Sequence, residues 1–373
     1  VDGDGSQERP FGTLEQARDD VRRLRAAGAI AGAVTVLVHG GRYELERPFV
    51  LEPEDSGEPG SPVVYAAVLG ETPVISGGRV IEGWRREGDG RWTARLPGVR
   101  EGEWIPRQLF VDGRRRPRAR TPNEGVLRTD GQPQFTDGDR EAIRQRFGWN
   151  SKLTGPEGEA HFGFRYRPGD LRSWETLGDV AIHVMHAWTS AIHWVADLDP
   201  SRRTVRFTGP SRFPGGRWEQ QMPYYVENVR EALDAPGEWY ADRRTGVLTY
   251  LSFPGEDPRD KEMVASRLQT LLELRGDATL GGFVEHLGFR GLSFEHADWG
   301  PLDRYAENAG YGGGHFLEAA VRATGTRNCL IERCRIARCG GYGIYLIDGS
   351  ARNRIEQCEI ADMGGGGILI GCR

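Results

Sequence analysis

The chain has 373 residues, a net charge of −5 and 38% hydrophobic residues. That length predicts two or three structural units with a modest core, and no apolar run approaches the roughly 18 residues of a membrane span. The acidic balance argues against a general nucleic-acid binder, and the arginines are scattered among acidic residues rather than gathered into a phosphate-binding face.

The 53 glycines and 21 prolines point to many turns and few long helices. Residues 1–5 read as a mature or trimmed start without a signal peptide. One helix signal is clear: Thr13 can cap it, and Leu14, Ala17, Val21 and Leu24 keep helical spacing. Residues 34–38, 42–45, 63–66 and 74–78 then form short β runs broken by glycines and by the turn cluster at 55–62. Residues 79–262 follow no such rhythm and hold nine of the ten tryptophans, with alternating strands at 204–208 and 247–251. These features predict three parts: a cap helix and first coils over 1–80, an inserted β-rich, sandwich-like domain over 81–262, and further coils over 263–373.

The last part carries an internal repeat. Ile331, Glu332, Cys334, Ile336, Ala337, Gly340, Gly341, Gly343 and Ile344 recur as Ile355, Glu356, Cys358, Ile360, Ala361, Gly364, Gly365, Gly367 and Ile368, nine identities in sixteen at an offset of 24. Short β-branched runs with glycine turns at that period predict a solenoid of strands, one coil per repeat. Cys334 and Ile336 on one strand, and Ile344 and Leu346 on the next, should point into the coil, above Cys358, Ile360, Ile368 and Ile370. All five cysteines lie in the last 45 residues without a CxxC pair, so Cys334 and Cys358 read as buried small apolar side chains. Phe289 to Phe294 match Ile331 to Ile336 at an offset of 42, one period plus 18 residues. The extra length falls between about Asp298 and Arg322, and insertions in solenoids become loops, often on the binding face. The chain ends on a coil strand, from which we expect further coils beyond residue 373.

Several stretches carry a family resemblance: Arg9-Pro10-Phe11-Gly12-Thr13-Leu14, Gly40-Gly41-Arg42-Tyr43, Leu109-Phe110-Val111-Asp112-Gly113-Arg114 and Pro236-Gly237-Glu238-Trp239-Tyr240-Ala241-Asp242, with the Gly-Ile coil motifs. The chain resembles the bacterial parallel β-helix glycoside hydrolases of family 141. The resemblance implies an all-β, right-handed parallel β-helix of the pectate-lyase-like kind, secreted or periplasmic, without a cofactor, acting on plant or algal polysaccharide or oligosaccharide. It further implies α-L-fucosidase or xylanase activity and catalytic aspartates on the coils, with Asp362 in Ala361-Asp362-Met363-Gly364 at the family's Asp-x-Gly position.

Glycoside hydrolysis usually requires two carboxyl groups. Asp362 is one candidate, although its repeat neighbour Arg338 makes a coil-to-coil ion pair an equal reading. Asp298, beside Trp299, offers a carboxylate next to an aromatic platform, or a loop aspartate capping a turn. Asp348 ranks third, since Asp348-Gly349 is also an ordinary turn. Glu332 and Glu356 read as a solvated charged ladder with Arg333, Arg335 and Arg354.

Candidate substrate contacts are Trp299, His315, His186, Trp188, Tyr345 and Tyr342. His183, His186 and His193 cluster near Trp188 and Trp194, as a packed domain core or with His186 and Trp188 reaching substrate through the family's His-x-Trp stretch. No metal ligand set is predicted. Two rival functions stay open: a Ca²⁺-dependent polysaccharide lyase on uronic-acid chains, or a non-catalytic carbohydrate-binding solenoid.

Overall fold

The computed structural model describes residues 3–148, 156–187, 189–300 and 317–371, and these divide into two compact units. The first unit comprises residues 1–80, 264–300 and 318–373, and the second residues 81–263 and 301–317.

The first unit is a parallel β-helix of five coils, each contributing one strand to each of three parallel five-stranded sheets. The first sheet stacks Val34–Val38, Val63–Ala67, Leu287–Arg290, Leu330–Glu332 and Arg354–Glu356. The second stacks Gly41–Glu44, Pro73–Ser76, Ser293–Glu295, Arg335–Cys339 and Glu359–Met363. The third stacks Phe49–Leu51, Leu272–Arg275, Ala319–Thr324, Tyr342–Ile347 and Ile368–Gly371.

Register follows the repeat. Ile331 pairs Ile355, Ile336 pairs Ile360 and Ile344 pairs Ile368, and the 42-residue offset pairs Phe289 with Ile331 and Phe294 with Ile336. Inward positions therefore form continuous columns, such as Val36–Tyr65–Phe289–Ile331–Ile355 and Tyr43–Ile75–Phe294–Ile336–Ile360. The aromatic members pack ring on ring, with Tyr65 stacked on Phe289 at 5.8 Å and Phe49 edge-on to Tyr65 at 5.4 Å. Each fully buried side chain of this size contributes about 1.5–3 kcal/mol. Cys334 and Cys358 belong to the same core, their thiols donating to Phe289 O and Ile331 O at 3.4 Å. Burial pushes the Cys334 thiol up to about 12, so it is an apolar filler rather than a nucleophile.

Corners are made by single residues in the left-handed region. Gly291, Arg333 and Gln357 turn the chain from the first sheet to the second, with φ of 67°, 51° and 54°. His296, Arg338 and Asp362 occupy one repeated position at the end of the second sheet, with φ of 62°, 57° and 55°. In coils 4 and 5 glycines follow, because an added Cβ at Gly341 would lie 2.1 Å from Glu318 O, and one at Gly364 2.3 Å from Gly340 O. The helix Leu14–Ala26 starts at a capping box between Thr13 and Gln16 and sends Leu14 into the core.

The second unit is built from antiparallel strands. Thr204–Phe207 lies in a sheet with Gly163–Arg165, Ala181–Met185, Ser190–Asp199 and Pro223–Glu227, and Val247–Leu251 pairs with Trp239–Asp242 and Arg91–Arg95. A helix that the sequence reading missed, Asp137–Phe147, is capped by Thr136 with Asp139. The three histidines separate. His193 is 1% exposed, its ring stacked 4.0 Å from Phe207, and neither ring nitrogen has a hydrogen-bond partner among the described residues. His183 lies 2.9 Å from the half-buried Glu227, which also accepts from Arg118 at 2.9 Å. Burial opposes ionisation of Glu227, but His183 and Arg118 outweigh it and hold the carboxyl down to about 2.

Two predictions follow from this packing. Ile336→Ala, at a fully buried position between Phe294 and Ile360, should cost about 2–5 kcal/mol in urea unfolding. Burial, with His186 and His183 nearby, lowers His193 from 6.5 to about 3. The folded state then excludes a proton that the unfolded chain takes up, so this contribution is complete above pH 6.5 and falls by roughly 1.4 kcal/mol per pH unit down to about pH 3. His193→Phe should remove that slope, measured as unfolding free energy at pH 7, 5.5 and 4.5.

Candidate functional site

The corner between the second and third sheets of the first unit differs from coil to coil, and the candidate site is built there. Coil 1 turns over residues 45–48, coil 4 over Gly340 and Gly341, and coil 5 over residues 364–367. In coil 2 the chain leaves the first unit after Val80 at this turn and re-enters at Val264. In coil 3 the flanking strands end at Glu295 and resume at Ala319. The excursion of coil 2 and the longest interval of coil 3 thus fall at one corner of adjacent coils. The re-entering segment is pinned there: Arg267 N and Leu268 N donate to Gly77 O at 3.0 and 2.9 Å, and Leu268 O accepts from Asp298 N at 2.6 Å.

Strand alternation sends Phe294 into the core and places Ser293 and Glu295 on the outer face, yet both are buried, Glu295 at 4% exposure. Glu295 Oε1 accepts from the Ser293 hydroxyl and from Arg335 Nη1, each at 2.7 Å. Its Oε2 accepts from Arg338 Nη1 and lies 3.8 Å from His296 Nε2. Burial alone would raise the Glu295 carboxyl, but Ser293, Arg338, His296 and Arg335 together hold it below its ordinary value. His296, 1% exposed, places its Nδ1 3.2 Å from Ser76 Oγ of coil 2. Arg335 also donates from Nε to Glu359 of coil 5 at 3.2 Å. One network of side chains therefore ties coils 2 to 5 together at this corner.

The sequence-predicted residues fall unevenly around it. Asp298 is here, 2% exposed, with Trp299 half-buried beside it. Asp362 is here too, exposed, in the position that stacks under Arg338 and His296. Arg338 directs its guanidinium to Glu295, so the ion pair foreseen for Arg338 has that carboxylate as a partner. Asp348 is exposed at the far end of the third-sheet strand Tyr342–Ile347, with φ of 50° before Gly349, apart from Asp298 and Asp362. Tyr345 and Tyr342 are not surface aromatics: they are 0% and 8% exposed, their rings 5.1 Å apart. His186 lies in the second unit, half-buried at the turn between Ala181–Met185 and Ser190–Asp199, with the Trp218 ring 6.3 Å away. Burial lowers His186, partly offset by Glu219. Trp188 and His315 lie outside the described residues. The Glu332 and Glu356 ladder has arginine partners, Arg290 at 2.8 Å and Arg354 at 2.7 Å.

Glu295, His296, Ser76 and Ser293 were missed in the sequence. Extending the 42-residue match by two positions would have set Glu295 and His296 over Ala337 and Arg338, where acid and base approach across one coil spacing. Among the described residues, no group of three or more His, Cys, Asp or Glu side chains is arranged to hold a metal ion.

Glu295 also governs a pH response. Its folded-state value lies below the ordinary 4.5, so its contribution is present above that pH and is lost as pH falls through the depressed value. Glu295→Gln should flatten the acid limb of the stability curve below pH 4.5, read by urea titrations from pH 7 to 3.

Comparison with known proteins agrees with this architecture. The sequence family described as "Right handed beta helix region" matches residues 308–373. A search of curated proteins finds no match. Among solved structures, one described as "Glycoside hydrolase" superposes with a TM-score of 0.76 at 22% identity, covering 99% of this chain. A second, described as "The complex structure of XylC with xylose", covers 93% of this chain and 40% of its own at 17% identity, and its TM-score of 0.41 is too low to argue from. The chain spans 65% of the length of the first structure. The family match and the first structure, with the parallel three-sheet coils, establish the right-handed parallel β-helix as the fold of the first unit.

Proposed function

We propose that the chain is the β-helix part of a glycoside hydrolase acting on plant or algal saccharide, with its site at the corner between the second and third sheets. What supports this reading is that the buried Asp298, the half-buried Trp299 and the exposed Asp362 all belong to this corner, the two aspartates two coils apart. The fold likeness to a structure described as a glycoside hydrolase supports it.

Asp298, out of bulk water, is the group assigned to protonate the leaving-group oxygen. Asp362, facing water, is the group assigned to activate a water or attack the sugar carbon. Trp299 offers a ring face to a pyranose. This chemistry calls on no cofactor, and export to the periplasm or the medium goes with it. Fucosidase and xylanase are the specific activities to test first.

The test is a panel of plant and algal polysaccharides incubated with the full-length protein, following new reducing ends together with unsaturated-uronate absorbance. Reducing ends without that absorbance are expected. Asp298→Asn and Asp362→Asn should each lower turnover by at least about 100-fold with little change in melting temperature. Ca²⁺-dependent absorbance would instead make the protein a lyase, and binding without cleavage a carbohydrate-binding solenoid.

A further inference from the structure

We infer that Glu295 is a positioning residue that fixes the guanidinia of Arg335 and Arg338 as a preorganised pair of hydrogen-bond donors for saccharide hydroxyls. The inference rests on the carbohydrate-active reading of the same corner and adds a role which that reading does not contain.

Both carboxylate oxygens of Glu295 are already occupied, Oε1 by Ser293 and Arg335, and Oε2 by Arg338 with His296 nearby. A carboxylate in that setting is a poor proton acceptor, and most of its lone-pair sites are already taken. It is also 4% exposed, so substrate does not reach it directly. The two arginines differ: their side chains are 34% and 26% exposed, so each is anchored at Glu295 while part of it lies in solvent.

Anchoring changes what an arginine offers. A free arginine loses rotamer entropy whenever it orders around a ligand, whereas a guanidinium clamped by a buried carboxylate has already given that up. Arg335 is held at two points, by Glu295 through Nη1 and by Glu359 through Nε, which fixes the plane of its fork. Arg338 stands on a left-handed residue at a coil corner, which aims its side chain outward from the sheet edge. Glu295 and Glu359 balance the charge of the pair. What it presents is therefore a set of oriented N–H groups with little net charge, suited to hydroxyl oxygens rather than to a carboxylate.

The experiment measures binding of neutral and uronic oligosaccharides to the full-length protein at pH 7, by calorimetry, alongside melting temperature and turnover. Glu295→Gln keeps shape and hydrogen bonding but removes the charge. We expect it to weaken neutral-sugar binding by about 10-fold and to shift preference toward uronic chains, since one guanidinium charge is then unbalanced. Glu295→Asp should recover part of the preference. If Glu295→Gln does not fold, Arg335→Gln and Arg338→Gln should each lower neutral-sugar affinity, measured well below the reduced melting temperature that losing one partner of the buried Glu295 entails, and unchanged affinity in both overturns the inference. A folded Glu295→Gln that binds every sugar as the wild type does overturns the inference, as does wild-type protein that binds none of them. Wild-type binding without cleavage overturns only the hydrolase reading.

Discussion

Parallel pairing between successive coils holds residues 24 or 42 apart in sequence one strand spacing apart in space, about 4.8 Å, and the first unit depends on that constraint throughout. Each coil alone is too small to bury its inward side chains. Columns such as Tyr43–Ile75–Phe294–Ile336–Ile360 exist only because every coil covers the next. The same spacing acts on outward residues with the opposite consequence. There, neighbours one coil apart must be compatible in charge, and the corner around Glu295 meets that demand with Arg335 and Arg338 on the adjoining coil.

This division of labour explains why variation gathers at one corner. The columns fix the strands, and the corners between the first and second sheets are limited to one left-handed residue each in coils 3 to 5. The corner after the second sheet carries two glycines in one coil and a whole compact unit in another, yet the strands on either side keep register. Length added at a corner leaves the hydrogen-bond ladders untouched, and closing a longer loop costs entropy that rises only slowly with length. The proposed site lies where the fold tolerates change in length, beside strands whose register is kept.

The coil architecture was legible because it repeats. Nine identities at one period set the register of the last two coils, and one further match extended it to Phe289–Phe294. The first two coils were visible only as β runs, because the excursion from Val80 to Val264 separates the strands of coil 2 and hides the period. Of the proposed site, Asp362 came from the family resemblance and Asp298 from its tryptophan neighbour, whereas Glu295 looked like an ordinary outward strand residue. Its importance comes from burial and from partners 40 and 43 residues away, neither of which a linear pattern carries. Tyr345 failed for a related reason: alternation gives the face of a strand but not what lies over it, and the ring is fully buried. Helix Asp137–Phe147 was missed because its only strong signal is the Thr136 cap, and a single apolar residue, Ile143, is buried along it.

The left-handed position shared by His296, Arg338 and Asp362 has one more consequence. A side chain there is aimed by the backbone of the corner, so its direction is set before its identity matters. Three successive coils hold a buried imidazole, a fixed cation and an exposed anion in equivalent sockets at equal intervals. Exchanging the residue in a socket would alter the chemistry offered at that height while leaving its location unchanged. Related helices could in this way retune a binding surface residue by residue, without rebuilding the coil that supports it.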